Sequence, residues 1–304
     1  MSSIRSRIWY HLIRRKLAQQ RALKLPLEQA RANGDRNSAR MFKIPAGIST
    51  QAADIDGLNG EWLRPEGSKP AGLLLYLHGG AYVQGSVKTH RALAARLALA
   101  SQASAFIVDY RLAPEHPFPA AVDDALVVYK ALRRAYPGEP IALAGDSAGG
   151  GLTVATALRI RDEAVPAPVA LALLSPWTDL TLGNPSHLSK AKVDPYFPDS
   201  SLLSLAAKAY AWGRDPRTPQ ISPQFADLGG LPPTLIHVGE REALLDDSLI
   251  LAEKMTAAGS QAQLDLYPDM WHVWQVFAGR FPEADRSIAA IGAFLKGQLE
   301  QAAR

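Results

Sequence analysis

Ser147 stands at the centre of the run Gly145-Asp146-Ser147-Ala148-Gly149, behind the apolar stretch 140–144 and ahead of the helix-like stretch 150–158. Strand, sharp turn and helix in that order put a serine at the apex of a G-x-S-x-G turn, and this context makes the pattern specific. Glycine flanks let the backbone turn tightly without a side chain over the hydroxyl. A serine hydroxyl is a poor nucleophile near neutral pH, so it needs a base within hydrogen-bond reach and an acid to orient that base.

A chain order of serine, acid, histidine places the base downstream of Ser147. Four of the seven histidines, His11, His78, His90 and His116, lie upstream. His187 falls in an irregular stretch, and His237 sits inside the strand-like Leu235-Ile236-His237-Val238, where a structural role is expected. His272 follows a strand ending at Tyr267, the position from which open α/β sheets present catalytic groups, and is the expected base. The loop after Val238 offers Glu240, Glu242, Asp246 and Asp247 as acids. Asp246 and Asp247 suit capping of the helix that runs to Ala258. Glu242, nearer the strand end with room for a turn, is expected to hold the His272 tautomer and stabilise its imidazolium. A tetrahedral intermediate also needs donors for its oxyanion. The Ala148 amide at a helix start and the Gly79 and Gly80 amides, after the apolar run Leu73-Leu74-Leu75-Tyr76-Leu77, are the expected ones. His78 is expected to organise that loop, and Asp146 to support the turn.

The elements that must position these groups alternate from residue 71 onward. Strand-length apolar runs at 72–77, 103–108, 140–144, 169–174, 234–238 and 262–267 are separated by helical stretches at 90–100, 121–134, 148–158 and 247–258, with a last helix at 282–298. That rhythm predicts an α/β fold with a mostly parallel central sheet and helices on both faces. Residues 181–223 break it with several prolines and one helix candidate, 200–212, which reads as an insertion covering the body. The expected organisation is N-terminal helices in 1–45, a catalytic body in 46–180 and 224–304, and a cap insertion in 181–223. Apolar cap residues Tyr196, Phe197, Leu203 and Trp212, with Tyr82 beside the glycine loop, are the candidates for a substrate pocket.

Composition bounds the rest. A chain of 304 residues that is 47% hydrophobic can bury one large core. No stretch approaches the ~18 uninterrupted apolar residues of a membrane span, and the N-terminus lacks an h-region and cleavage site, so a cytoplasmic location is expected. With no cysteine, thiolate metal sites and a cysteine nucleophile are excluded, and no metal or cofactor is expected. Residues 1–43 hold eleven Lys/Arg against Glu28 and Asp35, about +9. Ile4, Ile8, Leu12, Ile13, Leu17 and Leu23 recur there at roughly helical spacing, so docking on the protein's own body is expected in preference to membrane or nucleic-acid contact.

The stretches 77–82, 109–121, 145–149 and 175–180, with those around Glu242 and His272, resemble the hormone-sensitive-lipase family of α/β-hydrolases, in particular its microbial esterases. The likeness runs from about residue 60 to the end and is looser before it. It implies an α/β-hydrolase fold with a helical cap built from the N-terminal helices and the insertion. It also implies a carboxylesterase acting on short- to medium-chain acyl esters through an acyl-enzyme, and an expected homodimer. The family's acid, two before a leucine in D-x-L-x-D, falls on Glu242, where aspartate is commoner. The family's loop usually carries three glycines after its histidine, and here the third is Ala81. An amidase or peptidase with the same triad, or a non-catalytic small-molecule receptor on the same fold, are the rival readings.

Overall fold

A computed structural model describes residues 2–67 and 69–304. Its elements run α1 (Ile4–Ala22), α2 (Leu27–Met41), β1 (Ile48–Ile55), β2 (Leu58–Pro65), β3 (Leu73–Leu77), α3 (Val87–Ser101), β4 (Ser104–Val108), α4 (Ala120–Ala135), β5 (Ile141–Asp146) and α5 (Ala148–Asp162). They continue with β6 (Leu171–Leu174), α6 (Ser186–Ser189), α7 (Ser201–Ala211), β7 (Thr234–Gly239), α8 (Leu245–Ala257), β8 (Ala262–Tyr267) and α9 (Pro282–Ala302). One eight-stranded sheet has the order β1-β2-β4-β3-β5-β6-β7-β8, antiparallel at β1, β2 and the β2–β4 pair and parallel from β4 to β8.

Strand alternation sorts the core into two layers. Leu73, Leu75 and Leu77 of β3 join the layer that holds Val122, Leu126 and Tyr129 of α4 and Leu152 of α5. Leu74 and Tyr76 face the other way, toward Leu93 and Leu97 of α3 and Ile291 and Leu295 of α9. Every residue of β3, β4, β5, β6 and β7 is buried, as strands covered on both faces must be. The chain leaves β3 for β4 on one side and returns to β5 on the other. The sheet therefore reverses its winding between β3 and β5, where open α/β sheets form a crevice at their carboxyl ends. The register Leu77↔Gly145 sets the loop after β3 beside the turn after β5.

Three sequence expectations change. The β1–β2 hairpin was not anticipated, although its two-residue turn, Asp56-Gly57 with φ 51° and 85°, is the Asp-Gly pair that type I′ hairpins favour. The helix expected at 90–100 starts earlier, because Ser86 and Thr89 close a reciprocal capping box ahead of Val87. The apolar residues of the N-terminal segment do not all dock. Tyr10 and Ile13 are buried, with Trp9 and Leu17 packed beside them, whereas Ile4, Ile8, Leu12 and Leu23 are 76%, 54%, 53% and 62% exposed. Burying the bulkier aromatic stripe fixes the helix's rotation and leaves the other stripe outward.

The turn after β5 tolerates no added side chain. A Cβ at Gly149 would lie 2.0 Å from the Leu77 carbonyl oxygen, and one at Gly145 2.2 Å from that of Gly149. Both obstacles are backbone, so relief requires the sheet edge to move. Gly149→Ala is expected to destabilise the fold by ~3 kcal/mol or more, read as a lowered thermal midpoint in calorimetry. An unchanged midpoint would show that the turn has room to spare.

Candidate active site

Ser147 sits between β5 and α5 at φ 55°, ψ −124°, a strained conformation for a residue with a side chain. Its amide donates to Leu174 and its carbonyl accepts from Trp177, so backbone on both sides fixes the strain. The Oγ lies 2.9 Å from His272 Nε2. His272 Nδ1 lies 2.7 Å from Glu242 Oε2. These three residues are 6%, 4% and 0% exposed, so the cluster is almost closed to solvent.

The four candidate acids separate cleanly. Asp247 accepts from the amides of Thr178 and Asp179 and from the side chains of Asn184 and His187, anchoring the 181–223 segment. Asp246 accepts from the Ser186 amide, and Glu240 from that of Asp269. Glu242 alone of the four bonds to His272. His237 is buried against Ser287, and burial pushes its pKa down to about 4. His78, stacked on Tyr110 at 4.2 Å, is held near 3 by burial and by neighbouring His90, which suits a neutral loop organiser.

Burial alone would disfavour the His272 imidazolium. The hydrogen bond and charge of Glu242, with the charges of Asp194 and Asp146, outweigh it and raise the pKa above the ordinary histidine value of 6.5. A neutral His272 at mildly alkaline pH can accept the Ser147 proton, and the carboxylate behind it favours the cation that results.

Two residues that sequence reasoning missed hold this relay. Ser175 Oγ, just past β6, donates to Glu242 Oε1 at 2.9 Å and accepts from the Val273 amide at 3.2 Å. One hydroxyl thus ties the acid to the residue after the base. Asp194 accepts from the Ala243 amide and the Tyr196 amide, each at 2.7 Å, joining the turn that carries Glu242 to the segment carrying Tyr196 and Phe197. Burial pushes its pKa up to about 6. The Ser175-Pro176 pair after an apolar run was the one available signal for the first; nothing in the residue pattern marks the second.

The loop after β3 differs in detail from expectation. The Gly79 amide donates to Asp146 Oδ1 at 3.1 Å, so it is not free for an oxyanion. Asp146 also accepts from Tyr76 and lies 3.3 Å from His90, locking the loop to the serine turn. The Gly80, Ala81 and Ala148 amides donate to no protein acceptor among the described residues. Ala81 has φ 55°, the left-handed region that a third glycine would occupy without strain.

Of the pocket candidates, Phe197 and Tyr196 meet the His272 ring edge-on at 5.0 and 5.7 Å. The other three are corrected. Tyr82 is turned into the core and stacked on Tyr210 at 3.8 Å, Leu203 is enclosed within the core, and Trp212 is 66% exposed at the left-handed end of α7. An amphipathic pattern gives a helix two sides but does not say which contacts the site.

The sequence matches the α/β-hydrolase fold family over residues 74–276. An esterase of the bacterial hormone-sensitive-lipase family superposes with a TM-score of 0.91 at 38% identity, covering 98% of this chain and 99% of that one. The chain belongs to the hormone-sensitive-lipase family of α/β-hydrolases. Within it, an acetyl-hydrolase of Streptomyces hygroscopicus is 42% identical over 78% of this chain and 79% of its own. An esterase of Acinetobacter venetianus is 38% identical over 84% of each. The esterase EstE5, in a crystal soaked with p-nitrophenyl butyrate, superposes at a TM-score of 0.85 with 40% identity, covering 90% of this chain and 92% of that one.

A hydrogen bond to a charged group contributes about 1.5 to 3 kcal/mol. Ser175→Ala, which leaves the Gly239 amide as the remaining donor to Glu242 Oε1, is therefore expected to lower kcat by roughly 10- to 100-fold with little change in KM. Steady-state kinetics on a soluble ester checks this, and unchanged kcat would remove Ser175 from the relay.

Proposed function

We propose that this protein is a cofactor-free serine carboxylesterase that hydrolyses short- to medium-chain acyl esters through an acyl-enzyme. The observation that carries the reading is the unbroken relay from Ser147 Oγ through His272 to Glu242, at 2.9 and 2.7 Å. Ser147 Oγ attacks the ester carbonyl carbon while His272 Nε2 takes its proton. The carbonyl oxygen becomes an oxyanion facing the amides of Ala148, Gly80 and Ala81. Collapse of the tetrahedral intermediate breaks the bond to the alcohol, which leaves with the proton from His272. Water, deprotonated by His272, then attacks the acyl-serine, and collapse of the second tetrahedral intermediate releases the acid while His272 returns the proton to Ser147 Oγ. Glu242 orients the imidazole throughout, and Ser175 keeps it aimed.

Tyr196 and Phe197, packed on His272, supply an apolar wall for the ester. The short-chain preference draws on the relatives named acetyl-hydrolase and esterase. Retention of a base in contact with the serine favours an enzyme over a receptor on the same fold. Ester is preferred to amide on the names of the relatives, and turnover of a nitrophenyl butyrate beside the matching anilide separates the two. No helix among the described residues is long and apolar enough to cross a membrane.

Ser147→Ala is expected to abolish ester hydrolysis and keep the thermal midpoint; retained turnover would refute the mechanism. Activity requires neutral His272, so it is lost as pH falls through a pKa raised above 6.5. The acid limb of kcat/KM is therefore expected to have its midpoint above pH 6.5. Glu242→Gln removes the group that favours the imidazolium, so that limb moves to lower pH while kcat drops by ~10^4-fold. A pH–rate profile of both proteins checks the direction, and an upward move would contradict it.

A further inference from the structure

Helix α1 is apolar on two opposite sides. Successive residues turn by about 100°, so Trp9, Tyr10, Ile13 and Leu17 form the inner side while Ile4, Ile8 and Leu12 form a ladder directed away from the body. Leu23, just past the helix, extends that ladder. Cations border it: Arg5 and Lys16 along one edge, Arg7 and Arg14 along the other, with Arg15 inside it. The helix contains six Lys/Arg and no Asp or Glu. Arg21 donates to the Pro195 carbonyl, and Arg7 donates to the Ser2 hydroxyl with the charge of Asp269 nearby. Asp269 and Glu283 are bonded to Ser2 and Ser3 at the helix start, and Asp194 and Asp199 lie near Arg21 at its other end. Three large aliphatic side chains more than half exposed in one row, framed by cations of which Arg5, Arg14, Arg15 and Lys16 make no ion pair among the described residues, make a face that water does not favour and anions do.

We propose that this outer face of α1 is a docking surface for anionic phospholipid bilayers, with Ile4, Ile8 and Leu12 entering the headgroup boundary and the bordering cations meeting lipid phosphates. Charge decides the occupant. A second copy seated on the same face by two-fold symmetry would set two cationic rows against each other, whereas an anionic lipid surface complements both the cations and the aliphatic ladder. The inner side of the same helix carries the consequence inward. Tyr10 donates its hydroxyl to the Val193 carbonyl at 2.8 Å and Arg21 holds Pro195, adjoining the Tyr196 and Phe197 rings over His272. Lipid docking thus lays the cover of the catalytic cluster close to the membrane surface, where apolar esters concentrate.

The test uses the full-length protein and sedimentation with sucrose-loaded vesicles of phosphatidylcholine, alone or with about 30% phosphatidylglycerol. The bound fraction is expected to rise at least ~10-fold with the anionic lipid and to fall at ~0.5 M salt. The variants Ile4→Ser/Ile8→Ser/Leu12→Ser and Arg5→Gln/Arg15→Gln are each expected to lose that binding while hydrolysing a water-soluble butyrate ester at the parent rate, which verifies their fold. Equal sedimentation with neutral and anionic vesicles, or a triple variant that binds like the parent, would overturn the proposal. So would a dimer in light scattering that the triple variant dissolves, because a second copy would then be the occupant.

Discussion

The rest of the site depends on how closely the turn after β5 is pressed against the end of β3. With the Leu77 carbonyl 2.0 Å from where a Cβ on Gly149 would stand, the first turn of α5 and the end of β3 leave no room for a side chain between them. That proximity forces glycine, and it holds Ser147 at a positive φ with its hydroxyl outward. It also delivers the Gly80–Ala81 loop to the same place. Asp146 then fastens the two parts, bonded at once to Tyr76 beneath and to the Gly79 amide alongside. The strain at Ser147 persists because parallel strands on either side leave the turn no way to relax.

Around this fixed point Glu242 and His272, the proposed acid and base, arrive from distant strands and are held in place by Ser175 and Asp194. Ser175 comes from the end of β6, Glu242 from beyond β7 and His272 from beyond β8, and one hydroxyl couples the last two. Asp194 couples the acid's turn to the segment over the base, so the cover and the relay share a hydrogen bond. Because the cluster is almost closed, each charge within it acts with little screening, which is how Glu242 outweighs burial at His272.

What could be read from the residues alone follows the same physics. Ser147 and His272 were legible because strand-ending positions and chain order leave few alternatives, and Glu242 because it lies nearest the end of β7 with room for a turn. The capping role expected of Asp246 and Asp247 is not what occupies them, since α8 follows Leu244 with no side-chain cap and the two aspartates bond the 178–187 stretch instead. The parallel sheet followed from alternation of strand and helix lengths. Ser175 was hidden because a serine after a strand has many ordinary roles and only its contact with Glu242 distinguishes it. Gly79 was assigned to the oxyanion because adjacent amides cannot be told apart before Asp146 is seen to claim one. Leu203, Trp212 and the outer face of α1 share one cause. Periodicity reveals that a helix has sides, but the partner that selects among them lies elsewhere in the chain.

The most direct measurement of the central claim is covalent trapping of the nucleophile. Treatment with a p-nitrophenyl alkylphosphonate, followed by peptide mapping in a mass spectrometer, is expected to give one adduct per chain, on the peptide holding Ser147. The rate of its formation should fall at least ~10^3-fold in His272→Ala. An adduct on another residue, or equal labelling rates in the parent and that variant, would contradict the account.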